Sequence, residues 1–109
     1  MVIYRIEDFK GRGPYRSECL STMDRLLQDE LDNHTLDLYH PAPQYDIGRR
    51  PRQNEICGFI SVQQALEWFP IELQRKLHIY GFSLRQVPVD IITAVGEFQV
   101  LAIKRIIWN

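Results

Sequence analysis

Residues 57–81 read CGFISVQQALEWFPIELQRKLHIYG and contain the clearest folding signals of the chain. Ser61, followed three positions later by Gln64, is the S-x-x-Q form of a capping box, in which the two side chains satisfy free backbone N–H groups at a helix start. Phe69 is the last apolar residue before Pro70, which cannot continue the helix. The stretch therefore predicts a helix that begins after Ser61 and stops at Pro70.

A second helix follows directly in the same stretch. Pro70 is predicted at its first position, where a missing N–H costs no helical hydrogen bond. Leu73, Leu77 and Tyr80 recur at helical spacing and form one apolar stripe. Gly81 is predicted to end the helix, because glycine adopts the left-handed conformation that closes many helices.

Both flanks of this helical pair show the two-residue period of strands. Val2–Asp8 alternates in this way and precedes the helices. After them, Phe82–Val87 alternates, Pro88 interrupts the pattern, and two further runs follow around a glycine-containing turn, Val89–Val95 and Phe98–Trp108. We therefore expect an α+β fold, with a small and mostly antiparallel sheet packed against helices and the first strand paired into the C-terminal sheet.

Between the first strand and the helical pair, Ser17–Asn33 has the period of a helix. Its apolar stripe consists of Leu20, Met23, Leu27 and Leu31. Its other face carries Glu18, Asp24, Asp29, Glu30 and Asp32. Six acids against one arginine give Ser17–His40 a charge of −5, although the whole chain carries −1. This face is either ordinary solvated surface or an array of carboxylates offered to a basic partner.

Residues 34–55 show no sustained period and contain three prolines, so they predict a long loop. Loops of this length are uncommon in small domains and are usually functional or mobile. The loop carries two tyrosines and three arginines, which are Tyr39, Tyr45, Arg49, Arg50 and Arg52. We predict that these residues, together with Asp24, Asp29, Glu30 and Asp32 of the acidic helix, bind a partner.

The composition limits the class of protein. With 109 residues, 45% of them hydrophobic, the chain fits a single domain over residues 1–109. Its near-neutral charge does not favour direct nucleic-acid binding. No apolar run approaches the roughly 20 residues of a bilayer span. Because no secretory leader is recognisable, we expect a cytoplasmic protein whose two cysteines are reduced.

Catalytic and metal-binding patterns are weak. His34, Asp37, His40 and Cys57 contain no close ligand spacing, so neither a metal nor a cofactor is expected. Cys57 with either histidine is open to two interpretations, a thiolate–imidazole pair or a buried inert thiol. Arg5 is also open, either as an anion-gripping guanidinium on a rigid strand or as a solvent-facing strand residue.

In a series of short motifs the chain resembles a group of small, poorly characterised proteins of phages and prophages. These motifs are Tyr4-Arg5-Ile6-Glu7, Gly13-Pro14-Tyr15, His40-Pro41, Asp46, Cys57-Gly58-Phe59, Ser61, Trp68-Phe69 and Gln99-Val100. The resemblance implies an accessory protein of the bacterial cytoplasm during infection or lysogeny. It also implies inhibition of a host protein or nucleoprotein complex by direct binding, as anti-CRISPR proteins do.

A second resemblance concerns the ADP-ribosyltransferase fold. In that class an arginine or histidine lies on the first strand, a serine or tyrosine on a middle strand and a glutamate on a late strand. Arg5, Ser61 and the stretch around Glu97 and Gln99 would match these positions and form an NAD site. The catalytic carboxylate would fall at Gln99, whose amide cannot stabilise a positive transition state, so the resemblance implies a degenerate transferase.

A homodimer is a third expectation. The predicted strand Phe98–Trp108 is strongly apolar, and an exposed edge of that kind would need a cover. Pairing of two copies along this strand would provide it.

Overall fold

A computed structural model describes residues 1–34 and 38–106 of the chain. In chain order its elements are β1 (Val2–Glu7), α1 (Ser17–Leu20), α2 (Arg25–His34), α3 (Pro43–Asp46), β2 (Glu55–Gly58), α4 (Val62–Trp68), α5 (Ile71–His78), β3 (Ser83–Val95) and β4 (Val100–Lys104). The strands form one antiparallel sheet in the order β1-β3-β4-β2. This confirms the α+β class and the pairing of the first strand into the C-terminal sheet.

The sheet is curled into a half-barrel whose two outer strands approach each other. Tyr4 of β1 and Phe59, directly after β2, exchange two backbone hydrogen bonds of 2.8 Å each. Edge strands normally leave backbone groups unpaired, and this pair satisfies some of them at the meeting point. The curl thereby brings the end of β2 beside β1.

Apolar side chains fill both sides of the sheet. Residues at alternate strand positions point to opposite faces, so Ile3 and Ile6 belong to different cores. The larger core joins the sheet to the helices and includes Ile6, Cys19, Met23, Leu27, Leu31, Phe59, Ala65, Trp68, Phe69, Leu73, Leu77 and Phe82. The smaller core consists of Ile3, Val87, Val89, Val100 and Ala102.

The helical pair follows the sequence prediction closely. The Ser61 hydroxyl accepts the Gln64 N–H at 3.1 Å and caps α4. The Gln64 side chain accepts the Ile60 N–H at 2.9 Å, one residue before the position that the capping box predicts. Pro70 is also displaced by one residue, because its extended backbone makes it the cap of α5 rather than its first helical residue. Gly81 follows α5 with a φ of 90°.

The single helix predicted over Ser17–Asn33 is wrong, since the chain is interrupted between α1 and α2. The physical reason is a new cap in the middle of the pattern. Asp24 Oδ1 accepts the Leu27 N–H at 2.9 Å, as a helix-capping aspartate does. Met23 and Leu27 are nevertheless both buried in the larger core, so the apolar stripe survives the break.

The C-terminal strands also differ from the prediction. Pro88 does not divide the region, because β3 runs through it and Pro88 lies opposite Val2 at the end of the pairing with β1. Beyond this point β3 pairs with β4 through two irregularities in register. β4 is shorter than Phe98–Trp108, whose last two residues lie outside the described part. β4 is also an interior strand between β3 and β2, so residues 100–104 offer no free edge for a second copy.

Candidate binding loop and adjoining cavity

Within the described part of the predicted loop 34–55, His34 ends α2, Pro43–Asp46 forms the short helix α3, and Glu55 begins β2. We call residues 38–52 the binding loop, because the sequence predicts that side chains of this segment bind a partner. Asp46, at the end of α3, accepts the backbone N–H groups of Glu97, Phe98 and Gln99 at 2.7, 3.1 and 3.1 Å. A side chain at Gly96 would overlap the Asp46 carboxylate, so this glycine permits the close approach. Asp46 thus ties the binding loop to the turn between β3 and β4.

Gln99 provides a second tie. Its Nε2 donates a hydrogen bond of 2.7 Å to the carbonyl oxygen of Pro41, and the residue is 5% exposed. A buried amide of this kind needs such a partner, because an unsatisfied donor would cost free energy. Gln99 takes the position at which the transferase resemblance would place a catalytic carboxylate. In this structure its side chain instead holds the binding loop.

Arg49 and Glu55 form the third tie. Arg49 donates to the two oxygens of Glu55 at 2.6 and 2.8 Å, in a bidentate pair. Glu55 also accepts the Arg52 N–H at 2.7 Å and the Thr93 hydroxyl. The Arg49 hydrogen bonds, followed by those of Thr93 and Arg52, hold the pKa of Glu55 well below its usual range. Arg49, predicted to contact a partner, is therefore engaged within the chain.

The remaining predicted residues of the binding loop face solvent. Tyr39 is 71% exposed and Tyr45 is 81% exposed, and the neighbouring Leu38 is 89% exposed. Arg50 and Arg52 are also exposed. The loop thus presents aromatic and cationic side chains on a segment that is held to the rest of the chain at three points.

The carboxylates predicted to form an acidic face over residues 18–32 are less available to a partner than the charge of this segment suggests. Asp29 pairs with Arg25 at 3.2 Å, and Glu30 pairs with Lys76 of α5 at 2.9 Å. Asp24 caps α2 and accepts the Tyr80 hydroxyl at 3.0 Å. Asp32 is exposed. Because two of these carboxylates are balanced by cations of the chain, the face attracts a basic partner less strongly than a count of acids predicts.

A cavity of about 280 Å³ lies beside the binding loop, where β1 and the end of β2 meet. Its lining consists of Arg5, Ile6, Gly13, Pro14, Tyr15, His40, Pro41, Ala42, Pro43, Cys57, Gly58, Phe59, Trp68, Phe69 and Gln99. Of the four residues predicted to form an NAD site, the structure brings only Arg5 and Gln99 to this cavity. Ser61 caps α4, and Glu97 is exposed at the turn after β3.

The charge at Arg5 is already balanced. Its Nη1 donates to Glu7 Oε2 at 3.0 Å, and the two side chains are 15% and 7% exposed. A buried guanidinium paired in this way attracts a diphosphate less than a free one would. The solvent-facing interpretation of Arg5 is wrong, because its side chain is only 15% exposed, pairs with Glu7 and lines the cavity.

Cys57 and His40 both line the cavity, as one interpretation of the sequence required. Burial raises the pKa of the Cys57 thiol, which favours the neutral form.

Tyr15 is a further residue of the cavity lining, and the sequence indicated it only through the motif Gly13-Pro14-Tyr15. Its hydroxyl accepts the Trp68 Nε1–H at 2.9 Å, and burial raises its pKa to about 12.

Across residues 1–34 and 38–106, no group of three or more histidine, cysteine or acidic side chains is placed to hold a metal ion. Asp37, one of the four candidate ligands, lies outside this part. Within the same ranges no helix has the length and apolar character needed to cross a bilayer.

Comparison with known protein families finds a match over most of the chain. The model of the family described as Bacteriophage T4 Y00F protein matches residues 1–106. No curated protein matches the chain, and no solved structure matches it.

Proposed function

Because the chain belongs to the Bacteriophage T4 Y00F protein family, we propose that it acts in the cytoplasm of an infected bacterium by binding a host protein and blocking it. The partner is either a free protein or a protein component of a nucleoprotein complex. The binding loop provides the contact surface, with Tyr39 and Tyr45 as its anchors.

One observation carries this proposal: the binding loop is held to the rest of the chain at three points while its tyrosine side chains remain exposed. Tyrosine is enriched among the residues that dominate binding energy at protein interfaces. A loop already held in one conformation loses less entropy on binding, which leaves more of the contact energy as affinity. Asp46, Gln99 and Arg49 provide that order, and Tyr39 and Tyr45 are 71% and 81% exposed.

The charge of the binding loop narrows the partner's chemistry. Arg50 and Arg52 are exposed in the same loop as the tyrosines. Arginine at an interface pairs with carboxylates through planar, bidentate hydrogen bonds. We therefore propose that the partner presents an acidic surface with apolar pockets for the tyrosine rings.

The proposal is tested by affinity capture from a bacterial lysate treated with nuclease. The protein is compared with Tyr39→Ser and Tyr45→Ser at low and moderate salt. We expect each tyrosine variant to lose roughly 30-fold in affinity for the captured protein, the effect of an interface anchor worth about 2 kcal/mol.

Ile79→Ser is the matched control, because Ile79 is 80% exposed and lies away from the binding loop, just after α5. It should retain the captured protein fully. If all three variants captured the protein equally well, the proposed contact surface would be wrong. Recovery of no protein at either salt concentration would contradict the proposed function itself.

A further inference from the structure

The cavity beside the binding loop has walls that are fixed in place by contacts around it. Phe59 packs against Trp68 and Phe69, with ring centroids 5.7 and 6.1 Å apart. Trp68 is in turn hydrogen-bonded to Tyr15, and Pro41 to Gln99. Because these wall residues are held by contacts within the chain, the cavity is preformed, as binding sites for small molecules usually are.

Two polar groups at the wall keep unused hydrogen-bonding capacity. Arg5 directs Nη1 to Glu7 and to the Gly11 carbonyl, whereas Nη2 donates to none of the described residues. A Cβ built on Gly13 would lie 3.6 Å from that Nη2, which places the nitrogen beside a residue of the cavity lining. Gln99 uses Nε2 for Pro41, and its Oε1 accepts no hydrogen bond from the described part of the chain. Arg5 and Gln99 both line the cavity, so its wall contains one residue with an unused donor and one residue with an unused acceptor, counted against the described part of the chain.

The electrostatics of the lining favour an uncharged ligand. Arg5 and Glu7 cancel each other at 3.0 Å, and both are largely buried. Most other lining residues are aromatic, aliphatic or proline. A net charge placed here would lose its hydration without gaining a counter-charge.

We propose that this cavity binds a small, neutral, planar heteroaromatic molecule that donates one hydrogen bond to Gln99 Oε1 and accepts one from Arg5 Nη2. An apolar cavity of about 150 Å³ holds benzene. The volume of about 280 Å³ found here fits two fused rings. This inference does not depend on the proposed host partner, since it concerns a ligand that the isolated chain would bind.

The test uses 2-quinolone, a neutral bicyclic compound with one N–H and one carbonyl group, and the alkylation of Cys57 as its readout. Cys57 lines the cavity, whereas Cys19 is 3% exposed in the larger core and serves as an internal control. We expect alkylation of Cys57 to slow about threefold when 2-quinolone is at twice its Kd, because the free fraction then falls to one third. Cys19 should stay unreactive throughout.

Two variants of the binding loop provide matched controls. Ala42→Phe places a ring in the cavity and should abolish protection of Cys57. Gln44→Phe adds the same ring nearby, outside the lining, and should leave protection unchanged.

Amide chemical shifts of Gly58 and Gln99, followed in the unmodified chain during the same titration, provide a readout that is independent of folding in the variants. If millimolar 2-quinolone neither changed these amide chemical shifts nor protected Cys57 from alkylation, the proposal would be overturned. Equal protection by naphthalene, which has the same size and no polar atom, would overturn the roles given to Arg5 and Gln99.

Discussion

At the scale of single residues, carboxylates organise the irregular backbone of this protein. Asp8 accepts the N–H groups of Lys10 and Arg12 at 3.0 and 2.9 Å, and so fixes the turn after β1. Asp46 does the same for the turn after β3, and Glu55 for the end of the binding loop. A carboxylate can accept several hydrogen bonds at once, so one side chain can satisfy several turn N–H groups that have no backbone partner.

Glu55 gives a prediction on pH dependence. Its pKa in the folded chain lies well below the ordinary value of 4.5, chiefly because Arg49 donates to it. The stabilising free energy that Glu55 contributes is therefore fully present above pH 4.5 and is lost as the pH falls toward the lower folded-state pKa. We expect the protection of the Arg49, Arg50 and Arg52 amides against hydrogen exchange, taken relative to the intrinsic rate, to fall on acidification through this range.

Glu55→Gln is the control for this effect. It removes the titrating group, so the same amides should exchange faster at neutral pH and show little further change in acid, once the intrinsic pH dependence of exchange is subtracted. An equally steep acid response in the variant would show that another group is responsible.

At the scale of elements, the helices show how local capping signals compete with apolar periodicity. Ser61 and Asp24 both accept a backbone N–H three residues further along the chain, and both start a helix. The sequence predicts the first, because Gln64 three positions after Ser61 completes a capping box. The second was missed because the apolar stripe continues from Met23 to Leu27 across the break.

The Ser61 cap can be measured directly. Ser61→Ala removes the acceptor of the Gln64 N–H and should lower the free energy of unfolding by about 1 kcal/mol. Urea denaturation followed by circular dichroism would show a lower midpoint with an unchanged slope. Ser17→Ala, at the exposed start of α1, should change stability by no more than about 0.5 kcal/mol. Equal midpoints for the two variants would contradict the capping role.

At the scale of the whole molecule, the curled sheet lies between two apolar cores. Ile3 is fully buried in the smaller core, and Trp68 lies in the larger core with the helices. The strands connect the two, because alternate residues of β1 contribute to each. We therefore expect the two cores to unfold together, as a single domain over residues 1–109 would.

This expectation is tested with Ile3→Ala in a Trp108→Phe background, which leaves Trp68 as the sole tryptophan of the chain. The cavity left by the truncated side chain should cost about 2–5 kcal/mol. Trp68 fluorescence and circular dichroism should shift to the same lower midpoint. Val2→Ala, on an exposed neighbour in β1, should cost at most about 1 kcal/mol. If the midpoint of the Trp68 fluorescence transition did not change in Ile3→Ala, the two cores would unfold as two independent units.

The sequence alone determined the α+β class, the helical pair after Ser61 and the hairpin of β3 and β4. These features depend on residues close together in the chain, where caps, periodicity and turn residues act locally. The exposed tyrosines of the binding loop were also found there, because an aperiodic stretch of prolines and aromatics is visible without any fold.

The tertiary structure decided which polar residues remain available and where a cavity forms. Asp46 and Glu97 are 51 positions apart, and Pro41 and Gln99 are 58 apart, so no local pattern indicates that they are bonded. The cavity arises because the curl of the sheet brings β1 beside the end of β2. Such contacts depend on how the chain closes in space, which residue spacing along the sequence does not encode.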